Sequence, residues 1–179
     1  MNNNKLVIYI FIASSLLFSS CGTEYHISKT NTLYSIVFPK KNIYLGQKVT
    51  EIEHFFNELN FIDIAGCHEF YMAYDTLKIN NNKLIVNNSF YFFHDQLFEH
   101  SYEINYDSLL VDSLYIKLIK AIEFPNQDKR AGNYSYKDSI ISLFIDKNYL
   151  GRNQITVMFR MTKDPCITSS DTTPADLAF

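Results

Sequence analysis

The stretch FYMAYDTLKINNNKLIVNNSFYFF, residues 70–93, decides the fold of this chain. Two runs in it, 70–79 and 84–93, are rich in aromatic and β-branched residues, which favour strands. Between the runs lies the triplet Asn80-Asn81-Asn82, and asparagine tolerates the positive φ that tight hairpin turns need. The stretch therefore predicts an antiparallel hairpin, and a further strand is expected from Ser101 to Tyr106.

A second hairpin is predicted closer to the carboxyl end. Ile155, Val157, Phe159 and Met161 alternate strictly with more polar residues, which is typical of a strand with one buried face. Its partner is the apolar segment Ser139 to Ile145. Near the other end of the chain, the short apolar run Leu33 to Phe38 is stopped by Pro39 and predicts a first strand.

Two amphipathic helices are also predicted. The first spans about 50 to 60, since Thr50 and Glu53 have the spacing of a capping box. The second begins near Asp107 and ends before Pro125. Apolar residues recur along both at helical spacing, namely Ile52, Phe55, Phe56 and Leu59 in the first and Val111, Leu114, Tyr115, Leu118, Ile119 and Ile122 in the second.

Together these elements predict one α+β domain over residues 33–166. Because hairpins join most of the strands, we expect an antiparallel sheet of about five to six strands, with both helices packed on one face. The two halves of the element order look alike in outline. The mostly polar tail 167–179 is expected to be disordered.

Composition excludes some classes of function. The 179 residues are 47% hydrophobic and 20% charged, which is typical of a folded globular protein. The formal net charge of −3 argues against nucleic-acid binding, which favours a basic excess. The sequence contains no GxGxxG, GxxxxGK[ST], HExxH, CxxC or GxSxG string, so it predicts no cofactor and favours a non-enzymatic role.

The amino terminus has the pattern of an export signal. After Lys5, residues 6–18 are almost entirely apolar, which is too short for a bilayer span and suits a signal peptide. The stretch ends in Leu17-Phe18-Ser19-Ser20-Cys21-Gly22, which resembles the lipobox of bacterial lipoproteins. The resemblance implies cleavage of residues 1–20, with lipid attached to Cys21, and an outer-membrane lipoprotein facing the periplasm or the cell surface. Residues 21–32 would then be a lipidated tether. The alternative is an ordinary secretory signal that leaves Cys21 as a free thiol.

Cys67 and Cys166 are the two cysteines that remain after Cys21. An oxidising compartment and an even number of cysteines favour a disulfide between them. The alternative is a nucleophilic Cys67 with His68 as its base. Adjacent side chains of an extended segment point to opposite faces, so His68 is poorly placed for that role.

The part of the sequence that best resembles a metal-binding pattern contains His94, Asp95, Glu99 and His100. Imidazole and carboxylate groups at such spacing are zinc ligands in other proteins. They lie in a polar connector, however, and the sequence favours no metal there.

We therefore predict a lipid-anchored cell-envelope protein that binds another envelope protein without catalysis. The first alternative is an immunity or inhibitor lipoprotein that neutralises a periplasmic toxin or hydrolase. The second is a small envelope hydrolase that uses Cys67 or a metal. Tyrosines such as Tyr71, Tyr74 and Tyr134 are candidates for a binding face, although tyrosine also fills half-buried strand positions.

Overall fold

A computed structural model of the chain describes residues 30–79, 82–105, 108–122, 128–130, 133–147 and 154–166. Within them, eight strands form one sheet in the order β1-β2-β3-β4-β8-β7-β6-β5, and every neighbouring pair is antiparallel. The strands are β1 Leu59–Ala65, β2 His68–Ile79, β3 Asn82–Phe93, β4 Gln96–Asn105, β5 Asp128–Arg130, β6 Asn133–Lys137, β7 Ile141–Asp146 and β8 Gln154–Met161. The helices of the same residues are α1 Tyr34–Val37, α2 Val49–Glu53 and α3 Ser108–Lys120.

The sheet consists of two four-stranded meanders that meet at β4 and β8. Helical segments precede each meander, with α1 and α2 before β1–β4 and α3 before β5–β8. The likeness of the two halves seen in the sequence therefore extends to the topology. At the seam, Ser101 pairs with Met158 and Tyr102 pairs with Val157.

The β2–β3 hairpin confirms the prediction made from residues 70–93. The two strands stay in register from Glu69 opposite Phe92 to Ile79 opposite Asn82. Residues 80 and 81, which connect the strands, lie outside the described residues. The β7–β8 pairing is likewise as predicted, with Leu143 opposite Phe159.

One face of the sheet, which we call the inner face, is covered by residues 30–58 and by α3. Residues 30–58 form the N-terminal layer, which holds α1 and α2 and lies over the first meander. In this layer the ring of Tyr34 lies 5.1 Å from that of Tyr102, and the ring of Phe56 lies 5.5 Å from that of Phe90. Leu118 of α3 belongs to the same buried cluster. The opposite, outer face has polar and half-buried residues and no helix from the described part of the chain.

The predicted strand Leu33 to Phe38 is wrong, because these residues contain the short helix α1. The run has no neighbouring strand to pair with. Leu33 instead adopts φ 65°, and its N–H donates to the side chain of Asn31. This turn places Tyr34 and Val37 into the core.

The predicted helix over 50–60 exists only as α2, from Val49 to Glu53. The N–H of Lys48 donates to the Glu51 carboxylate over 2.9 Å, so the helix begins earlier than the Thr50–Glu53 pattern predicts. The apolar stripe was still a correct guide to burial, since Ile52 and Phe56 are in the core. The residues after α2 turn and enter β1, which the sequence did not predict.

Helix α3 confirms the second predicted helix. Leu114, Leu118 and Ile122 are buried, and Tyr115 and Ile119 pack against the core at their side. Lys117 and Lys120 lie in its last turn, where positive charge stabilises the helix dipole.

The fold is thus an antiparallel sheet with few helices, but it has more strands than the five to six predicted. Strands β1, β5 and β6 account for the difference. Across the described residues, no helix is both long enough and apolar enough to cross a bilayer. The predicted signal peptide, Cys21 and the tail 167–179 lie outside the described residues, whereas Thr32, assigned to the tether, is fully buried.

Candidate functional site

Cys67 and Cys166 form the predicted disulfide, with Cα atoms 5.8 Å apart. Cys67 lies with Gly66 in the turn between β1 and β2, where Ala65 pairs with His68. Gly66 has φ 68°, a conformation that favours glycine. Cys166 lies in the segment that follows β8. Cys67 is exposed, whereas Cys166 is half-buried.

His68 packs against this disulfide on the Cys166 side. Its Nδ1 lies 3.3 Å from the Cys166 Sγ, and its Nε2 lies 3.3 Å from Oδ1 of Asp164. Its ring stacks on Phe98 with centroids 4.8 Å apart. The Asp164 oxygen also accepts the N–H of Cys166 over 2.8 Å. Histidine, carboxylate and sulfur therefore lie together at one end of the sheet.

The sequence did not pair His68 with Cys166 or single out Asp164. It did predict that His68 is poorly placed as a base for Cys67, and it predicted the disulfide. The disulfide brings residues 164–166 to the start of β2, so the predicted bridge was the signal that could have located this cluster.

Cys67, His68 and Cys166 have potential metal-ligating atoms within 4.8 Å of one another. No other group of three or more histidine, cysteine, aspartate or glutamate side chains in the described residues has that arrangement. Bonded to each other, the two sulfur atoms are not thiolates, and the thiolate is the form that binds zinc.

The four candidate metal ligands from the sequence do not converge. His94 and Asp95 form the β3–β4 turn, with φ 48° and 62°. Asp95 accepts the N–H of Val49 over 3.3 Å. Glu99 and His100 follow each other on β4 and thus point to opposite faces of the sheet. This geometry provides no shared site for a metal ion.

Glu99 lies on the outer face opposite Arg160 of β8. Its Oε2 is 3.9 Å from the Arg160 Nη1. Burial raises the pKa of Glu99, and the charge of Arg160 opposes this effect. The charged partner of Glu99 in this structure is therefore Arg160 and not a histidine of the predicted metal pattern.

His100 is fully buried on the inner face within a chain of hydrogen bonds. Its Nε2 is 3.1 Å from Oδ1 of Asn88, and its Nδ1 is 3.0 Å from Oγ1 of Thr32. Asn88 Nδ2 donates to the Tyr34 hydroxyl over 3.0 Å, and that hydroxyl donates to Asp75 over 3.1 Å. We call this set, Thr32, His100, Asn88, Tyr34 and Asp75, the buried polar chain.

The charged residue Asp75 determines which groups donate and which accept along the buried polar chain. The Asp75 carboxylate pairs with Lys41 and only accepts, so the Tyr34 hydroxyl must donate to it. Tyr34 then accepts from the Asn88 amide N–H, which turns the amide oxygen towards His100. The amide oxygen faces Nε2 of His100, while the Thr32 hydroxyl, which donates to the carbonyl of Ile43 over 2.9 Å, faces Nδ1. Burial lowers the pKa of His100 to about 3, so the ring is neutral near pH 7.

Strand β1 forms an exposed apolar edge. Phe61, Ile62 and Ile64 are 54%, 49% and 61% exposed. The Phe61 ring lies 5.3 Å from that of Tyr71, and the Tyr71 ring lies 5.3 Å from that of buried Phe92. The aromatic core therefore continues to the surface at this edge. We call Phe61, Ile62 and Ile64 the β1 patch.

The tyrosines named from the sequence have different environments. Tyr134 is buried, Tyr71 is half-buried, and Tyr74 on the outer face is exposed. Tyr74 and Ile85 line an open groove of about 750 Å³ on that face. Because Asp75 at its border is already paired with Lys41, the groove has no evident acid–base chemistry.

No protein-family model, no curated protein and no solved structure matches the chain. The features that bear on function are the β1 patch, the Cys67–Cys166 disulfide with His68 and Asp164, and the amino-terminal motif.

Proposed function

We propose that this chain is a lipid-anchored protein of the bacterial cell envelope that binds another protein without catalysis, through the β1 patch. The lipobox-like sequence around Cys21 supports the anchor. One observation carries the binding role, namely the three exposed apolar side chains of the β1 patch on an edge strand of a folded domain. Exposed apolar patches of this kind mark protein-interaction sites.

The charge of the surrounding segment favours a basic partner. Residues 49–74 contain five carboxylates and no lysine or arginine, namely Glu51, Glu53, Glu58, Asp63 and Glu69. An apolar patch within an acidic segment is complementary to an apolar protein surface that is flanked by lysine and arginine. Such complementarity speeds association and excludes other partners.

The contact is made by side chains rather than by adding a strand. The register of β1 shifts between Phe61 and Asp63, which is a β-bulge. In addition, Asp63 accepts the N–H of Ile64 over 2.7 Å, so this donor is already satisfied within the chain. Bulges and charges on an edge strand oppose pairing with a further strand.

The test is affinity capture with a matched pair of variants. Residues 22–179 are immobilised as wild type, as Phe61→Ser/Ile64→Ser, and as Ile116→Ser/Ile140→Ser. The second variant removes two apolar side chains that are 48% and 50% exposed elsewhere on the protein. Each bait is presented with an envelope extract at low and at high salt.

The proposal expects wild type and the Ile116/Ile140 variant to retain one basic protein at near-equal stoichiometry. The β1 variant should retain at least tenfold less, and high salt should weaken retention by wild type. Equal retention by all three folded baits, or none by wild type, would contradict the proposal. Labelling cells with a palmitate analogue, compared with Cys21→Ser, tests the anchor separately.

The identity of the retained protein separates the alternatives. A toxin or hydrolase inhibited on binding would make the chain an immunity or inhibitor lipoprotein, and the acidic segment suits that role equally. The hydrolase alternative with Cys67 as nucleophile requires a reduced chain. In the structure Cys67 is bonded to Cys166, and His68 lies against Cys166.

A further inference from the structure

The disulfide has an environment that a purely structural cross-link does not need. An imidazole lies against one of its sulfur atoms, and a carboxylate lies against the imidazole. His68 Nδ1 and Nε2 lie 3.3 and 3.4 Å from the Cys166 Sγ, and Nε2 also lies 3.3 Å from Asp164 Oδ1. A histidine beside a cysteine stabilises the thiolate that forms when a disulfide opens.

The two cysteines also differ in exposure to solvent. Cys67 is exposed in its hairpin turn, whereas Cys166 is half-buried beside the ring of His68. Thiol–disulfide exchange depends on which sulfur can be attacked and on how stable the leaving thiolate is. Access favours attack at Cys67, and His68 favours departure of Cys166. Both differences therefore favour the same reaction, in which Cys67 is attacked and Cys166 leaves.

We propose that Cys67 and Cys166 are a redox-active pair that exchanges electrons with an external dithiol or disulfide protein, with His68 as the group that stabilises the Cys166 thiolate. Asp164 is a positioning residue, because it contacts the imidazole and the Cys166 N–H. This activity is independent of the β1 patch, and the two proposals can fail separately.

The exchange balances as a two-electron transfer. A thiolate of the external dithiol attacks the Cys67 Sγ, a mixed disulfide forms, and the Cys67–Cys166 bond breaks with its electron pair on Cys166. The proton lost by the attacking thiol goes to His68, whose imidazolium then faces the Cys166 thiolate. The second external thiol then attacks the external sulfur of the mixed disulfide, and its proton goes to Cys67. The external dithiol ends as a disulfide, and the pair ends as a Cys67 thiol and a Cys166 thiolate beside protonated His68.

The first experiment measures the equilibrium of the pair in glutathione redox buffers at pH 7. The protein is residues 22–179 as wild type, His68→Gln, Asp164→Asn and the control His94→Gln. Folding of both redox states is checked by circular dichroism. Free thiols are counted after alkylation by mass spectrometry.

In wild type, glutathione should reduce the Cys67–Cys166 disulfide while the protein stays folded. His68→Gln should lower the equilibrium constant for reduction about tenfold, which corresponds to about 30 mV for two electrons. Asp164→Asn should lower it less, and His94→Gln should leave it unchanged. Resistance to reduction until the protein unfolds, or the same constant in His68→Gln as in wild type, would overturn the proposal.

The second experiment identifies the attacked sulfur. Oxidised wild type is incubated with reduced glutathione, the reaction is stopped with acid, and the mixed disulfide is located by mass spectrometry. The proposal expects glutathione on Cys67 and a free thiol on Cys166. Glutathione found mainly on Cys166 would contradict the assigned roles. Tight binding of one zinc ion by the reduced wild type, with no exchange, would identify a metal site instead.

Discussion

The two meanders of the sheet are covered in different ways. Over β1–β4 lies the N-terminal layer, in which only α1 and α2 are helical. Over the second meander lies α3, with Leu114 and Leu118 in the core. Below the N-terminal layer runs the buried polar chain, whereas the inner residues of β7 are the apolar Ile141, Leu143 and Ile145.

The two coverings differ because their backbone N–H and C=O groups find hydrogen-bond partners in different ways. A helix such as α3 satisfies most of its own N–H and C=O groups, so it needs only apolar side chains to dock on a sheet. An irregular layer must find partners for its backbone elsewhere. Thr32 shows this, since its N–H donates to the carbonyl of Ile43 over 2.9 Å while its side chain contacts His100. Polar groups in the first half thus fix the position of a segment that has little regular structure.

The largest difference in stability between the two halves is expected when a buried residue on the inner face is substituted in each. Asn88→Leu leaves His100 Nε2 and the Tyr34 hydroxyl buried without this partner, and it should cost about 2 to 4 kcal/mol in the free energy of unfolding. The matched apolar change in the second half, Leu143→Met, should cost less than about 1.5 kcal/mol. Urea unfolding of the oxidised proteins measures both. Equal losses would show that the polar chain adds no specific stability.

The second prediction is that stability depends on pH because of His100, a residue of the first meander. The pKa of His100 is lowered to about 3 in the native state, so the unfolded state takes up a proton that the native state excludes. Stability is therefore complete above about pH 6.5 and falls as the pH decreases towards 3. Between pH 7 and pH 5 the loss should be about 2 kcal/mol.

His100→Gln isolates this contribution, since glutamine does not titrate. Glu99 acts with the opposite sign, because its raised pKa makes the native state retain a proton as the pH falls. Burial raises the pKa values of Tyr34 and Tyr102, which also contact His100, so they do not titrate in this range. Urea unfolding at several pH values should show a smaller slope for His100→Gln than for the exposed control His54→Gln. Identical slopes would refute the assignment.

A third pair compares two buried tyrosine hydroxyls. Tyr34→Phe removes a donor to Asp75 and an acceptor for Asn88, and it should cost about 1 to 2 kcal/mol. The Tyr134 hydroxyl of β6 is buried without a hydrogen-bond partner among the described residues. Tyr134→Phe should therefore leave the thermal midpoint unchanged or raise it. A drop in that midpoint as large as for Tyr34→Phe would remove the distinction.

The smallest effect is expected at the surface of the second half. Lys147 Nζ lies 3.1 Å from Asp112 Oδ1, and the side chains are 33% and 66% exposed. Pairs of this kind contribute little, so Asp112→Asn should change the free energy of unfolding by less than about 0.5 kcal/mol. A larger change, measured by urea unfolding at two salt concentrations, would show that α3 depends on charge as well as on apolar packing.

The sequence predicted those elements whose pattern reflects local structure. The β2–β3 hairpin, the β7–β8 hairpin and α3 each have many apolar residues at one period, and each was located within a few residues. Leu33 to Phe38 failed because a six-residue run, with five apolar residues and Ser35, does not specify a strand without a partner strand. Strand β1 was missed because its apolar side chains are exposed and its sequence continues the stripe of the predicted first helix.

For the candidate site, the sequence predicted the covalent bond but not the groups around it. Cys67 and Cys166 could be paired by counting cysteines and by the expected compartment. The contact of Asp164 with His68 depends on how the segment after β8 crosses the sheet, and no local pattern encodes that path. The opposite orientations of Glu99 and His100 could have been read from the alternation of a strand, had the strand been predicted to begin at Gln96.

The disulfide has a mechanical consequence for any force that is applied to the two ends of the chain. Cys67 and Cys166 are 99 positions apart in sequence, and the segment between them contains β2 to β8 and α3. A pulling force applied at the two ends of the chain would pass through the bridge and bypass this segment. While oxidised, the protein would withhold about 330 Å of extensible chain, and reduction of the pair would release it.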